Sequence, residues 1–432
     1  MMGLGDKRIL PEDRYDLTVI MGSLGYPNLN DVVYSGGLDD VVEGISKYLP
    51  ENIRVYVLAE SIGNNEVEYK LKDNLTVYGI PCRHFEAGEE YEYVYKPYCG
   101  PIDQFAANSF DSKFIALKKK IPKIIEKSDG QNIIAHMHDW FSGPLGIELQ
   151  QQRLPYIFQT HISVERIDYK KLFKTGDIQD WRLLYEKESC ERADKVVVVS
   201  EESKDSIINA YKISPKKIIV IENAIDTNKF RPPTEEEKIK NREYLQRFKI
   251  KEPYIFWCGR YVREKGAKEL IEAFNLFSRG NPEYSLLMAG FDGYEYPELV
   301  QIIKDLPDKV KEKISLADPN TYSDIVALNQ NSSFAVYPSK VEAFGLMAVQ
   351  SEACGKPVVV GNVGGLKKNV KEGCTGVHVD PNNIESILRG MEKVEDNKEE
   401  FGRNAREFAE KNYSWENRII DYEKLYEEVA SL

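Results

Sequence analysis

The sequence predicts an α/β protein built of two doubly wound, Rossmann-like domains that face each other across a cleft. Two sets of short β-branched runs predict this fold, because each run is followed by enough residues for a helix. A Pro-rich stretch at 231–233 separates the two sets. Apolar runs without strict alternation are typical of parallel strands covered on both faces by helices. Such domains bind ligands at the carboxyl ends of their strands, so we expect functional residues on the loops that follow.

The first set of runs predicts five strands and the second set predicts four. The runs lie at 17–21, 53–58, 132–136, 156–160 and 195–200, and then at 254–259, 285–290, 333–338 and 356–361. Both sets are spaced as βα units of a parallel sheet require.

The closing segment has aromatic and aliphatic residues at helical spacing, including Trp415, Tyr422 and Tyr426. This pattern predicts a docked C-terminal helix. We therefore expect an N-terminal domain over 1–225, a C-terminal domain over 226–412 and a terminal helix over 413–432 that packs back on the first domain.

The composition narrows the class of partner. A formal charge of −12 over 432 residues disfavours extended binding to nucleic acid or to an anionic bilayer. No window approaches 18 continuous apolar residues, and the first thirty residues lack a secretory pattern. The six cysteines form no CxxC pair, which disfavours structural zinc and a disulfide framework. We expect a cytoplasmic protein without a membrane-spanning segment.

The segment GRYVREKG, at 259–266, follows the first predicted strand of the second domain and precedes an amphipathic helix. Arg260 and Lys265 could hold a diphosphate there, and the helix start would add its partial positive charge. The alternative is a solvated basic turn.

The segment YPSKVEAFGL, at 337–346, has the richest chemistry of the chain. Ser339 and Glu342 lie on a loop between a strand and a helix, and Gly345 lets a ligand approach the amides at the helix start. A carboxylate beside an anion site is paradoxical unless a polyol lies between them, so we expect Glu342 to accept hydrogen bonds from sugar hydroxyls. The alternative is that Glu342 only complements the helix dipole.

Three histidines follow two predicted strands of the first domain. His136 and His138 lie in HMHDW, and His161 lies in QTHIS. We expect His138 to enter the cleft, with His161 and Asp139 as candidates on the acceptor side. The alternative is a hydrogen-bonded core histidine, and zinc ligation is disfavoured because no third ligand has suitable spacing.

Two further segments carry weaker indications. Gly36 and Gly37 open a helix in YSGGLDDVV, where a phosphate or an acceptor could approach the backbone. The lysine-rich run at 113–128 could dock on anionic lipid, but its pattern favours a solvated amphipathic helix.

Together, GRYVREKG, YPSKVEAFGL, EACGKPVVV and VGGLKKNVKEGCTGVHV resemble the nucleotide-sugar domain of glycosyltransferase family 4 and of the related glycogen synthases, which have the GT-B fold. The resemblance implies that Arg260 and Lys265 hold the donor diphosphate without a metal, and that Glu342 binds the donor hexose. It implies that His138 lies against that sugar. It also implies that the backbone around Phe344, Gly345 and Leu346 completes the phosphate site.

Two positions depart from the family pattern. The glutamate that normally binds the donor ribose is replaced by Gln350, and Glu352 is rotated away from that position by about 200 degrees on a helix. A lysine that precedes the glycine pair in glycogen synthases is replaced by Tyr34. We expect Gln350 to change donor affinity only several-fold, because a neutral acceptor still forms a hydrogen bond.

These observations predict a retaining hexosyltransferase that uses a nucleoside diphosphate sugar, such as UDP- or ADP-glucose, and no other cofactor. Elongation of an α-glucan is the first expectation for the acceptor, and a lipid or small molecule is the alternative. Two other classes stay open, namely a sugar-nucleotide epimerase and a nucleotide-sugar binder without catalysis.

Overall fold

A computed structural model describes the fold over 15–23, 26, 29, 37–61, 66–81, 119–128, 132–161, 181–248, 250–290, 293–317 and 322–432. Across these ranges the chain forms two α/β domains, each built on its own largely parallel sheet. The predicted fold class is therefore confirmed.

The first sheet has eight strands in the order β3-β4-β2-β1-β5-β6-β7-β8. Its strands are β1 Leu17–Gly22, β2 Ile53–Ser61, β3 Val67–Lys72, β4 Leu75–Pro81, β5 Ile133–His138, β6 Tyr156–Thr160, β7 Lys195–Val198 and β8 Ile218–Val220. Its helices are α1 Gly37–Tyr48, α2 Asp139–Gln151, α3 Trp181–Arg192 and α4 Glu201–Tyr211, with a 3-10 turn at Pro215–Lys217. Only β3 pairs antiparallel, with β4 at the edge of the sheet.

The second sheet has six parallel strands in the order β11-β10-β9-β12-β13-β14. Its strands are β9 Tyr254–Cys258, β10 Ser285–Ala289, β11 Ile314–Ala317, β12 Phe334–Tyr337, β13 Val358–Gly361 and β14 Gly376–Val379. The helices from here to the end of the chain are α5 Glu235–Leu245, α6 Ala267–Gly280, α7 Tyr296–Asp305, α8 Asp308–Lys311, α9 Tyr322–Asn331, α10 Leu346–Ala353, α11 Leu366–Asn369, α12 Ile384–Asp396, α13 Lys398–Tyr413 and α14 Trp415–Ala430. Short 3-10 turns lie at Gln246–Phe248 and Arg263–Lys265.

Each sheet has one point where its winding reverses. In the first sheet β1 lies between β2 and β5, and in the second β9 lies between β10 and β12. The loops that leave neighbouring strands at such a point separate and open a crevice at the carboxyl edge of the sheet. At this edge His138 ends β5 and Asp139 begins α2, while Arg260 and Lys265 follow β9 and Glu342 follows β12.

Five strands lie outside the predicted runs, namely β3, β4, β8, β11 and β14. β8, β11 and β14 are edge strands of three or four residues with partly exposed positions, unlike the equally short β12 and β13, which are fully buried. β3 is largely exposed and rich in charge, as an edge strand often is. No such reason applies to β4, which has the β-branched composition of a strand.

The C-terminal helix joins the two halves of the molecule. α13 packs on α10 in the second half, whereas α14 crosses to the first half and packs on α1 and β5. Trp415, Tyr422 and Tyr426 are buried in the same apolar cluster as β1 and β2. The aromatic spacing of the final segment therefore reflects burial against the first sheet.

The lysine-rich run is described from residue 119 onward and is helical to residue 127. Ile121 and Ile124 are buried in the core of the first sheet, while Lys123 and Lys127 are exposed. The apolar face of this helix is therefore already covered by protein, which favours the solvated helix over a lipid-binding one. Residues 113–118 lie outside the described ranges.

Within the described ranges, no helix has both the length and the apolar composition needed to cross a bilayer. The cysteines described there, at 190, 258, 354 and 374, are free thiols.

The packing of α14 on α1 can be tested at Gly44. A Cβ atom added to Gly44 would overlap the Trp415 indole, which is buried. We expect Gly44→Ala to lower the free energy of unfolding by about 2 kcal/mol, although alanine is the better helix former, because overpacking outweighs propensity. Urea unfolding measures the change. Gly280→Ala is the matched control, since nothing lies within 4 Å of its Cβ position; an equal loss of stability in both variants would contradict this packing.

Candidate active site

The loops that follow β9 and β12 are in direct backbone contact. The Lys340 amide donates to the Glu264 carbonyl at 2.7 Å, and a Cβ atom on Gly266 would overlap the Pro338 carbonyl. Gly266 has a φ of 67°, a conformation that favours glycine. The glycine that ends GRYVREKG thus lets the two loops form one wall of the crevice.

This contact brings Lys265 and Glu342 together. The Lys265 Nζ donates to Glu342 Oε2 at 2.6 Å, and the two side chains are 23% and 17% exposed. Arg260 lies half-buried in the same turn, and its carbonyl accepts from the Val262 amide at 2.9 Å. Two residues predicted separately, one for a phosphate and one for a sugar, form a single ion pair that is still reached by solvent.

Gly345 shapes the backbone beside this pair. It has a φ of 93° and precedes α10, and no described side chain caps that helix. The first amides of an uncapped helix can receive an anion or an acceptor oxygen. Gly364 and Gly365 lie so close to the backbone of Glu342, Ala343 and Phe344 that a Cβ atom on either would overlap it. The glycine-bearing loop after β13 therefore supports the loop that carries Glu342.

Ser339 and Phe344 are buried at 3% exposure each, so their side chains mainly support the site. The Phe344 ring packs edge-on against Tyr413, and its carbonyl accepts from Asn369 Nδ2 at 2.7 Å. Their geometry allows contact with a ligand chiefly through the backbone.

The starts of α1 and α10 face each other across the cleft. A Cβ atom on Gly37 would lie 3.0 Å from Leu346 Cδ2. One turn further along each helix, Gln350 Nε2 donates to Asp40 Oδ2 at 3.1 Å in a buried hydrogen bond between the two halves of the chain. Gly36 and Tyr34 lie outside the described ranges.

Asp40 is strongly influenced by its surroundings. Burial, together with nearby Glu43 and Asp39, raises the pKa of Asp40 to about 8, even though Lys229 and the Gln350 hydrogen bond act to lower it. Lys229 lies 3.8 Å from Glu43, which also pairs with Lys47 at 2.5 Å. A carboxyl with this pKa is largely protonated at neutral pH, so the pair with Gln350 is mainly between neutral groups.

Glu352, two residues after Gln350, points elsewhere. It is fully buried, and neither of its carboxyl oxygens is reached by solvent. Burial raises the pKa of Glu352 well above its usual range. The structure thus agrees with the expected rotation of Glu352 away from position 350.

The three histidines of the first half form a stack. The ring centroids of His136 and His138 are 4.3 Å apart, those of His138 and His161 are 5.3 Å apart, and His138 Nδ1 lies 3.0 Å from His161 Nε2. Burial lowers the pKa of His136 and of His161 to about 3, and that of His138 well below its usual range. The imidazoles are therefore neutral at pH 7.

Neighbouring groups fix this stack. Asp139 Oδ1 accepts from the His161 amide at 2.7 Å, and His136 Nδ1 lies 2.8 Å from the Tyr426 hydroxyl of α14. His136 is thus a buried, hydrogen-bonded histidine of the core. His138 is fully buried in this structure, and its Nε2 has no hydrogen-bond partner within the described ranges. It is an acceptor when Nδ1 donates to His161 and a donor when Nδ1 accepts, so His138 can bond a hydroxyl in either state.

The described contacts do not join the histidines to Lys265 or Glu342. The candidates form two groups, one on the first sheet and one on the second. The two halves of the chain meet where Gly37 approaches Leu346 and where Asp40 accepts a hydrogen bond from Gln350. In the part of the chain that the structure describes, no three His, Cys, Asp or Glu side chains converge to hold a metal ion.

Sequence reasoning missed Asp40 and Tyr426. A signal for Asp40 existed, since it is an acidic residue among the buried apolar positions of an amphipathic helix. Tyr426 was recognised only as an apolar residue of the last helix, because its partner His136 lies 290 residues away.

Two family models match the chain. The model described as Glycosyl transferases group 1 matches residues 240–413, and the model described as Glycosyltransferase Family 4 matches residues 35–229. Their junction falls between the two sheets.

Individual proteins give the same likeness. A D-inositol 3-phosphate glycosyltransferase of Corynebacterium kroppenstedtii is 25% identical over 76% of this chain and 74% of its own length. Sucrose-phosphate synthase from Thermosynechococcus elongatus superposes with a TM-score of 0.73 at 19% identity, covering 96% of this chain and 99% of its own. The catalytic domain of starch synthase IV from Arabidopsis thaliana, bound to ADP and acarbose, superposes with a TM-score of 0.69 at 18% identity, covering 96% and 99%.

The hydrogen bond between Asp40 and Gln350 predicts how the stability of the protein responds to an acidic residue at position 350. Gln350→Glu would place two carboxyl groups about 3 Å apart in a buried position, so we expect it to reduce the free energy of unfolding by about 3 kcal/mol at pH 8. The loss of stability should be smaller at pH 5, because both buried carboxyls favour the protonated form. That contribution to stability is present at low pH and disappears as pH rises through the folded pKa values of the two groups. Asp40→Asn in the Gln350→Glu background should restore most of the stability. Thermal unfolding at the two pH values measures this, and a double variant no better than Gln350→Glu would contradict the pairing.

Proposed function

Because the chain belongs to the group 1 glycosyltransferases of the GT-B fold, we propose that it transfers a hexose from a nucleoside diphosphate sugar to an acceptor hydroxyl with retention of the anomeric configuration. In this proposal the donor binds the domain at 226–412 and the acceptor binds the domain at 1–225. The terminal helix over 413–432 belongs structurally to the acceptor side.

The ion pair between Lys265 and Glu342 carries this proposal. An ammonium group has three donors, so Lys265 can bind a diphosphate oxygen while it keeps Glu342 in place. The uncapped start of α10 lies beside the pair and offers amides to the same diphosphate. A cation for phosphate and a carboxylate for hydroxyls, within 2.6 Å of each other, match the two ends of a sugar diphosphate.

The reaction that we propose occurs on one face of the donor sugar. The acceptor oxygen bonds to the anomeric carbon as the bond from that carbon to the diphosphate oxygen breaks, and the hydroxyl proton passes to the departing diphosphate. Arg260 and Lys265 stabilise the negative charge on the leaving group. We assign no enzyme nucleophile and no metal to this step.

His138 contributes as a neutral hydrogen-bonding group. Its Nε2 is the ring nitrogen not used by the histidine stack, and the stack and Asp139 hold the ring in place. We assign it to a hydroxyl of the transferred hexose. Since the low pKa keeps His138 neutral, this contact needs no change of protonation near neutral pH.

The donor that we favour is UDP- or ADP-glucose, and an α-glucan is the first acceptor to test. One observation favours a second acceptor: several relatives of 23 to 26% identity are named D-inositol 3-phosphate glycosyltransferases, so a small polyol phosphate belongs in the same screen. A screen of nucleotide-sugars for thermal stabilisation identifies the donor first, since a ligand at 100 times its Kd adds about 2.7 kcal/mol.

Retention can be tested directly with the donor so identified. A proton NMR time course should show the product accumulating with the anomeric configuration of the donor, because we assign both bond changes to one face. Glycogen, a lipid extract and a polyol phosphate serve as parallel acceptors. A product of inverted configuration would refute the mechanism, and consumption of donor without an acceptor would indicate an epimerase.

The role of Lys265 can be tested against a neighbouring lysine. We expect Lys265→Gln to reduce kcat/KM by at least about 100-fold, because it removes a cation from the leaving group and leaves Glu342 without its partner. Lys268→Gln is the matched control: Lys268 lies one residue into α6 and pairs with Glu298 at 3.1 Å. Its kcat/KM should stay within about two-fold of the wild type. Equal activity of the two variants would remove Lys265 from the site.

A further inference from the structure

A second cavity lies on the opposite side of the second sheet from the candidate active site. Its volume is about 700 Å³. Three of the residues that line it lie just before strands of this sheet: Glu252 before β9, Ser333 before β12 and Lys356 before β13. The candidate active site follows the same strands, so the two lie at opposite edges of one sheet.

The walls contain five cations, three of which already have partners. Arg406 donates to the carbonyls of Thr227, Phe230 and Ala353, Lys398 pairs with Glu395 at 2.7 Å, and Lys238 pairs with Glu235 at 2.6 Å. Arg406 therefore joins separate segments of the wall, whereas Lys398 and Lys238 each pair with a carboxylate three residues away in the chain.

Lys356 and Arg403 are the other two cations. Within the described ranges neither side chain has a carboxylate within 4 Å or a hydrogen bond, although Glu252, Glu399 and Glu407 also line the cavity. Burial lowers the pKa of Lys356, so its charge is not fully compensated by its surroundings. A dianionic ligand between Lys356 and Arg403 would provide that compensation.

Neutral polar groups complete the lining. Asn331 donates its Nδ2 to the Ala327 carbonyl, which leaves its Oδ1 as an acceptor, and Ser333 is half-buried beside it. Amide and hydroxyl groups of this kind bind sugar hydroxyls. A cavity of about 700 Å³ is larger than a phosphate ion needs and has room for a phosphate joined to a six-carbon polyol.

We propose that this rear cavity is a binding site for a phosphorylated polyol, with Lys356 and Arg403 on the phosphate and Asn331 and Ser333 on the hydroxyls. The site is separate from the donor and the acceptor of the proposed function, and its existence does not depend on that function.

The cavity is in contact with the elements that join the two halves of the chain. α10 runs from Leu346 beside the candidate active site to Ala353, the residue before Cys354 of the cavity lining. A Cβ atom on Gly402 of α13 would lie 2.6 Å from the Gly355 carbonyl. Pro232 of the connecting segment lines the same cavity. A ligand held between Lys356 and α13 therefore bears on the packing that positions α10.

Calorimetric titration with sorbitol 6-phosphate tests the site, since this compound has no anomeric carbon and cannot serve as a donor. We expect it to bind the wild type at least about tenfold more tightly than sorbitol or inorganic phosphate. The Lys356→Gln/Arg403→Gln variant should weaken it by at least about tenfold. Lys309→Gln/Arg279→Gln is the matched control, because both of these cations are exposed on the same domain away from the cavity.

The outcomes separate the rear cavity from the acceptor site. The double variant should retain wild-type kcat/KM when sorbitol 6-phosphate is absent, and it should retain stabilisation by the nucleotide-sugar. Binding that is unchanged in the double variant would place the ligand elsewhere and overturn the proposal, as would the absence of binding to the wild type at 10 mM. If the double variant does not fold, Arg403→Glu on the exposed face of α13 must weaken binding, or the proposal fails.

Discussion

The geometry of the cleft depends on two chain crossings that are fastened to each other. The segment from β8 toward the second sheet pairs with the turn between α13 and α14, since Ile225 bridges Ser414 and its amide donates to the Tyr413 carbonyl at 2.8 Å. Arg406 then ties both crossings to the end of α10 through three carbonyls. One guanidinium group satisfies three backbone acceptors from two segments, namely 227–230 and the end of α10, and each of these bonds is charge-assisted. The opposed starts of α1 and α10 follow from this junction.

The walls of the cleft are built largely by close backbone approaches. Gly266, Gly345 and Gly364 have positive φ angles, and each position would clash if it carried a Cβ atom. Because these approaches fix the loops after β9, β12 and β13 against each other, the Lys265 ammonium group and the Glu342 carboxylate are held within hydrogen-bonding distance. The arrangement is set before a ligand binds, which is what electrostatic stabilisation of a leaving group requires.

This dependence on backbone explains how much could be predicted from sequence. Glycines that permit close backbone approach are visible in the sequence. The loops that carry Arg260, Lys265, Glu342 and Gly345 were therefore assigned to the correct strands from the sequence pattern alone. The two-domain α/β fold was predicted from apolar runs, which are also local features of the sequence. The ion pair itself could not be predicted, because its partners lie 77 residues apart and nothing local fixes their distance. The short strands at the sheet edges and the contact between His136 and α14 are likewise products of tertiary packing.

Gln350 is a residue whose role cannot be understood from the motif of its own domain. Taken alone, a neutral residue at that position indicates a weakened contact on the donor side. In the folded chain it faces Asp40, whose carboxyl is desolvated and lies near Glu43 and Asp39. A carboxylate at position 350 would be a desolvated charge beside the largely protonated Asp40 and near Glu43, and the cost of burying that charge exceeds the gain from one stronger hydrogen bond. The amide at position 350 and the acid at position 40 are therefore one feature divided between two domains, and neither can be interpreted without the other.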